Sequence, residues 1–142
     1  MYKVSVIVPA YNAEAYLRQC LESIVSQTLN SIQIICVNDG SKDGTAAILK
    51  EYADRDSRVL VVDKPNTGYG NSMNMGLAMA EGEYIGIVES DDFIRPEMYQ
   101  TLYEIASAHN LDFIKADFIS FMESDGKRMD IERKLSTEPT FY

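Results

Sequence analysis

Short β-branched runs alternate along this chain with longer stretches in which apolar residues recur at helical spacing. Val4 to Val8 is the first predicted strand, stopped by Pro9, which lacks the N–H a ladder needs. Asn12 suits the N-cap of the stretch after it, where Leu17, Cys20, Leu21, Ile24 and Val25 line one helical face. Ile32 to Val37 is near-continuously apolar, as a strand covered on both faces should be. Asn38-Asp39-Gly40-Ser41 breaks it, and Thr45 to Tyr52 is predicted helical. Val59 to Val62 is a third strand, and Asp63 to Gly70 a loop. A third helix is expected from Asn71 to Ala80, with Gly82 ending it. Tyr84 to Val88 is a fourth strand that halts at Glu89-Ser90-Asp91-Asp92. Pro96 fits the first turn of a fourth helix running to about His109. Asp112 to Phe121 is predicted as a further strand.

Four successive β-α units imply a mostly parallel, doubly wound α/β sheet with right-handed crossovers. The tail from Glu123 to Tyr142 is polar, and Asp125-Gly126 marks a hairpin turn. Its last residues bring no closing element, so the sequence is expected to be cut from a longer one, leaving a sheet edge through which the fragment could dimerise.

The 142 residues are 46% hydrophobic and 25% charged, enough to bury one core. The net charge of −9 argues against nucleic acid as a partner. It also means that a phosphate ligand needs a cation or backbone amides to approach. Cys20 and Cys36 lie in apolar stretches and are expected to be buried, reduced thiols. With no apolar run long enough to span a bilayer and no signal peptide, the expected location is cytoplasmic.

In open α/β sheets ligands bind at the carboxyl ends of the strands. Here those ends carry Tyr11, Asp39 with Ser41, Asp63-Lys64 with Asn66, and Glu89 with Asp91-Asp92. Adjacent carboxylates raise each other's proton affinity, and a divalent cation relieves this. Mg²⁺ or Mn²⁺ commonly binds through one or two carboxylates plus substrate phosphates. A bland alternative is that Asp91-Asp92 only caps the turn before the next helix. Gly68-Tyr69-Gly70 imitates a dinucleotide fingerprint, but Met73 stands at the third glycine and the loop follows the third strand. His109 and the Met73, Met75, Met79 series are expected to be structural.

These blocks together resemble the family 2 glycosyltransferases of GT-A fold. The resemblance rests on Val4 to Asn12, Val37 to Thr45, Asn66-Thr67-Gly68, Ala80 to Ile85 and Glu89 to Asp92, and spans roughly Val4 to Ala116. It implies transfer of a sugar from a nucleoside diphosphate sugar, UDP-linked, to a hydroxyl of a saccharide or lipid-linked acceptor. The expected outcome is inversion, the cofactor Mn²⁺ or Mg²⁺, and the setting surface-polysaccharide synthesis at the inner face of the membrane. Pro9 and Tyr11 would pack on the base, Asp39 would bond it, and Asn66 and Gly68 would complete the nucleotide-sugar site. Asp91 would lie near ribose and metal, and Asp92 would be the main metal ligand. Glu89 departs from the family's first Asp. The catalytic base is implied to lie beyond Tyr142, since Glu123, Asp125 and Glu132 carry no sign of that role. Residues 1–122 would then be the donor-binding domain and 123–142 the start of the acceptor side, inactive alone. The rivals are a sugar-phosphate nucleotidyltransferase, which wants a Gly- and Arg-rich loop after strand one, and a non-catalytic nucleotide-binding module.

Overall fold

The structure, a computed structural model, describes residues 1–124 and 127–133. The elements follow in the order β1 (Val4–Ala10), α1 (Leu17–Val25), β2 (Ile32–Asp39), α2 (Thr45–Arg55), β3 (Val59–Lys64), α3 (Tyr69–Met79), β4 (Tyr84–Ile87), α4 (Met98–His109), β5 (Phe118–Ser124) and β6 (Lys127–Arg133). Two compact units divide the chain, Met1–Tyr103 and Glu104–Tyr142.

The first unit is built on a four-stranded sheet of order β3-β2-β1-β4, parallel at every pairing. Every residue of β1 and β2 is buried, which is why both are mostly apolar and do not alternate. Val4, Val6 and Val8 of β1 with Ile32, Ile34 and Cys36 of β2 meet Leu17, Leu21 and Ile24 of α1 and Leu49 of α2 in one core. Across the sheet α3 packs over β1 and β2. Its cover stops short of β4, where Ile85 and Ile87 remain 48% and 52% exposed. Chain order reverses between β1 and β4, the place where such sheets open a ligand crevice.

A buried polar network fixes the turn from α3 into β4. The Ser5 hydroxyl donates to Gln33 Oε1 at 2.5 Å and accepts the amides of Glu81 and Gly82, while Gln33 Nε2 donates to the Met79 carbonyl. These amides and carbonyl would otherwise be orphaned at a helix end. The helix therefore stops at Met79, three residues before Gly82, and Gly82 is not its cap.

Several expectations are corrected. β1 runs through Pro9 to Ala10. Ile7 bonds toward β4, Pro9 faces the same way, and the β1–β4 ladder ends at Ile7 with Ile87, so no hydrogen bond is lost. Asn12 does not cap α1. Its φ of 48° is left-handed and its Oδ1 accepts the Lys42 amide, whereas α1 begins at Leu17 without a side-chain cap. Pro96 lies two residues ahead of α4, its carbonyl taken by the Thr28 amide.

In the second unit, β5 and β6 pair antiparallel from Phe118 opposite Arg133 to Ser124 opposite Lys127. The ladder takes in no residue from Asp112 to Asp117, so the strand starts later than expected. Asp125 and Gly126, where a hairpin turn is expected, lie outside the described residues. Cys20 and Cys36 are free and buried. No helix of the described residues is long and apolar enough to cross a membrane.

Candidate active site

Loops at the carboxyl ends of β1 and β2 are laced together by short polar side chains. The amides of Asn12, Ala13 and Glu14 donate to Ser41 Oγ, Thr45 Oγ1 and Asp43 Oδ2. Glu14 returns a bond through its carboxylate to the Gly44 amide, and Asp43 also accepts the Thr45 amide at the start of α2. Asn38 holds the Ser41 amide with its oxygen and Asp63 with its nitrogen. The run from Asn38 to Thr45 thus mostly builds the rim. Asp39 is the member of the run that turns toward the loop after β3.

The Asp39 carboxylate accepts the amides of Thr67 at 2.8 Å and Gly68 at 3.0 Å, and Lys64 forms an ion pair with it. The Lys64 hydrogen bond holds the Asp39 carboxyl below the usual carboxylate range; burial pushes the other way, and the two amides help. Asp39 is therefore an ionised, acceptor-only group at neutral pH. Gly40 has φ +68°, and a Cβ there would sit 2.6 Å from the Asn66 backbone nitrogen, so the β2 loop can touch the β3 loop only through glycine. Gly68, at φ 92° and ψ 164°, occupies a region almost closed to other residues, and its carbonyl accepts the Ser72 amide to open α3. Gly68→Ala is expected to cost roughly 1–3 kcal/mol in urea unfolding. An unchanged midpoint would show that the loop relaxes freely.

The acidic end of β4 and the segment after it are fastened by α1 and by Gln27 just past its end. Cys20 Sγ donates to the Glu89 carbonyl, Ser23 Oγ accepts the Ile94 amide, and Gln27 bonds the Arg95 carbonyl and the Tyr99 amide. The Asp92 amide donates to the Glu89 carbonyl at 3.0 Å, closing a turn that crowds three carboxylates. Burial, then Asp91 and Glu89, raise the Asp92 carboxyl's affinity for a proton. Burial and the same three carboxylates push the Cys20 thiol up to about 12, so it stays protonated. No lysine or arginine of the described residues forms an ion pair with Glu89, Asp91 or Asp92. Nor do the described residues hold a cluster of three or more metal-ligating side chains. This negative charge, without a counter-charge among the described residues, fits a divalent ion held by one or two carboxylates and completed by a ligand's phosphates and water.

Between these rims lies a cleft of about 410 Å³, within the size range of small-molecule sites. Of the expected residues Pro9, Tyr11, Asp39, Asn66 and Gly68 line it, with Tyr11 half exposed. Asp91 and Asp92 do not line it, while Glu89 and Ser90 just ahead of them do. Tyr69 is an addition that sequence reasoning passed over: its hydroxyl donates to Glu89 Oε1 at 2.7 Å, and this bond raises its pKa. The long Glu89 side chain, unlike a shorter Asp, spans from β4 to the start of α3. The signal was the aromatic residue between two glycines, set aside with the failed dinucleotide fingerprint.

The family described as Glycosyl transferase family 2 matches residues 5–141. The chain is 42% identical over 124 residues to the glycosyltransferase GlyA of Streptococcus pneumoniae, covering 87% of this chain and 18% of that protein. Among solved structures it is similar to S. aureus TarS 1-349 in complex with UDP-GlcNAc, with TM-score 0.73 and 33% identity over 78% of this chain and 32% of that one. It is also similar to the mannosyltransferase PcManGT from Pyrobaculum calidifontis in complex with GDP-Man and Mn²⁺, with TM-score 0.57 and 26% identity over 66% of this chain and 29% of that one. The chain thus spans about a third or less of the lengths of these proteins. Its parallel sheet with alternating helices is the GT-A fold, and the chain belongs to glycosyl transferase family 2.

Proposed function

We propose that this chain binds the nucleoside diphosphate sugar, UDP-linked, for a glycosyltransferase that moves the sugar to an acceptor hydroxyl. The observation that carries this reading is the cleft at the β1–β4 switch point, with an ionised Asp39 at one side and the acidic β4 turn at the other. Residues 1–122 serve the donor and 123–142 begin the acceptor side, where a saccharide or lipid-linked acceptor is met. Surface-polysaccharide assembly at a membrane's inner face is the setting this chemistry suits.

Asp39 reads the base by accepting its N–H, while the wall of Pro9 and Tyr11 carries the ring face. Asp91 and Asp92 would hold Mn²⁺ or Mg²⁺, which when bound neutralises charge growing on the departing diphosphate. Cys20 of α1 holds that turn at the Glu89 carbonyl, and Ser23 of α1 with Gln27 just past it holds the segment that follows, a preorganisation worth more than the same groups in water. In the inverting course proposed, a carboxylate on a later segment takes the acceptor proton. Calorimetry is expected to show UDP binding with Mn²⁺ that weakens about tenfold or more in EDTA, or ~1.4 kcal/mol. Equal affinity in both conditions would remove the metal from the reading.

Tyr11→Ala tests the base wall. Stacking on an exposed ring is worth roughly 1–3 kcal/mol, so UDP affinity should fall roughly 5- to 150-fold with an unchanged melting temperature. A lowered melting temperature with intact affinity would make Tyr11 a loop-packing residue only.

A further inference from the structure

Lys64, bonded to the Asp39 that lines the cleft, has no assigned role, and its side chain is only 7% exposed. Its ammonium pairs with Asp39 Oδ1 and donates to Thr67 Oγ1 at 2.7 Å and the Pro65 carbonyl at 3.3 Å. Asp39 Oδ1 also accepts the Thr67 amide, and Oδ2 accepts the Gly68 amide. A carboxylate offers about four acceptor positions. With three of them filled, Asp39 has one left, on Oδ2.

We propose that Lys64 determines base specificity by occupying Oδ1 of Asp39, leaving a single acceptor position that takes the one imide N–H of uracil and refuses the paired N–H donors of guanine. The inference rests on the donor-nucleotide reading and goes past it to how the base is chosen. Guanine presents two adjacent donors, N1–H and the N2 amine, which match a carboxylate with both oxygens open. Against Asp39 as Lys64 leaves it, one of those donors loses its partner on entering the cleft. Uracil presents one donor, flanked by carbonyl acceptors. Cytosine presents a ring acceptor toward an oxygen that can only accept, so it is turned away as well. The choice matters among the similar structures, because the TarS structure holds UDP-GlcNAc and the PcManGT structure holds GDP-Man.

Two sets of titrations with Mn²⁺ present test the proposal. In the unmodified protein UDP should bind roughly tenfold or more tightly than GDP, the scale of one unpaired donor. Inosine diphosphate, a purine with the N1–H but no N2 amine, should bind roughly tenfold more tightly than GDP. Equal binding of inosine diphosphate and GDP would overturn the proposal, and this arm needs no variant to fold. Lys64→Met frees Oδ1 and should bring the UDP-to-GDP ratio down roughly tenfold, whereas Lys64→Gln, which still offers a donor there, should keep it. A Lys64→Met protein that loses UDP and GDP affinity in equal measure would make Lys64 a structural residue and overturn its role in specificity. The donor reading fails by a different result, the absence of any UDP binding by the unmodified protein, and Lys64's role falls with it.

Discussion

Asp92→Asn is expected to weaken Mn²⁺-dependent UDP binding by roughly 100-fold or more, about 2.7 kcal/mol, and at the same time to raise the melting temperature of the metal-free protein. Both directions follow from one arrangement. Burial and the charges of Asp91 and Glu89 already oppose ionisation of Asp92, so the folded protein keeps this carboxylate at a cost. A neutral amide of the same shape removes that repulsion and with it the anionic ligand. Glu89→Gln should do less, under about tenfold, because a glutamine oxygen can still accept the Tyr69 hydroxyl and hold α3 to the β4 turn. A residue that only capped the turn would behave oppositely: Asp92→Asn would lower the melting temperature and leave UDP affinity alone. Calorimetry and thermal melts on the two variants decide between these outcomes. A larger loss in Glu89→Gln would place the working end of the motif at Glu89.

The sheet was legible because its physics is repetitive. Ile32 to Val37 has no polar alternation, and a strand of that kind has to be covered on both faces. Alternation of such runs with helical stretches then implied a parallel sheet, whose strand ends bring Tyr11, Asp39 and Glu89 to one cleft. The misread positions are those where a side chain's partner is distant in sequence. Asn12 has the composition of a cap, yet its acceptor goes to Lys42, 30 residues on. Gly82 looks like a helix stop, but the helix ends earlier because Ser5 and Gln33 claim the amides of the turn. For the same reason the sequence places Lys64 at the strand ends without a role and gives no role to Tyr69. Each reads as an ordinary loop residue until Asp39 and Glu89 are brought beside it. Local pattern carries the elements, and long-range hydrogen bonds carry the interior of the site.

Asp39→Ala is expected to destabilise the fold by roughly 3–5 kcal/mol and to abolish measurable UDP binding, the first from the buried ion pair and the second from the lost base acceptor. The variant leaves the Lys64 ammonium, 7% exposed, without its counter-charge and strips the acceptor from the Thr67 and Gly68 amides. Removing one partner of a buried pair is costly because the other stays desolvated, while removing both is often close to neutral. The double variant Asp39→Ala with Lys64→Met should therefore recover the part of the urea midpoint lost to the stranded ammonium, but not the part lost with the Thr67 and Gly68 amide bonds, and none of the UDP affinity. That split separates the two duties of the carboxylate. Acidity offers a further check on the sign. The folded Asp39 carboxyl lies below its unfolded value of about 3.9, so its contribution is complete above that pH and is lost as pH falls through the folded value. Unmodified protein and Asp39→Ala should accordingly differ most in urea midpoint near pH 7 and converge as the pH drops below about 4. A gap of constant size across that range would mean that Asp39 stabilises the loop by shape and not by charge, and recovery of UDP binding in the double variant would take the base-reading role away from Asp39.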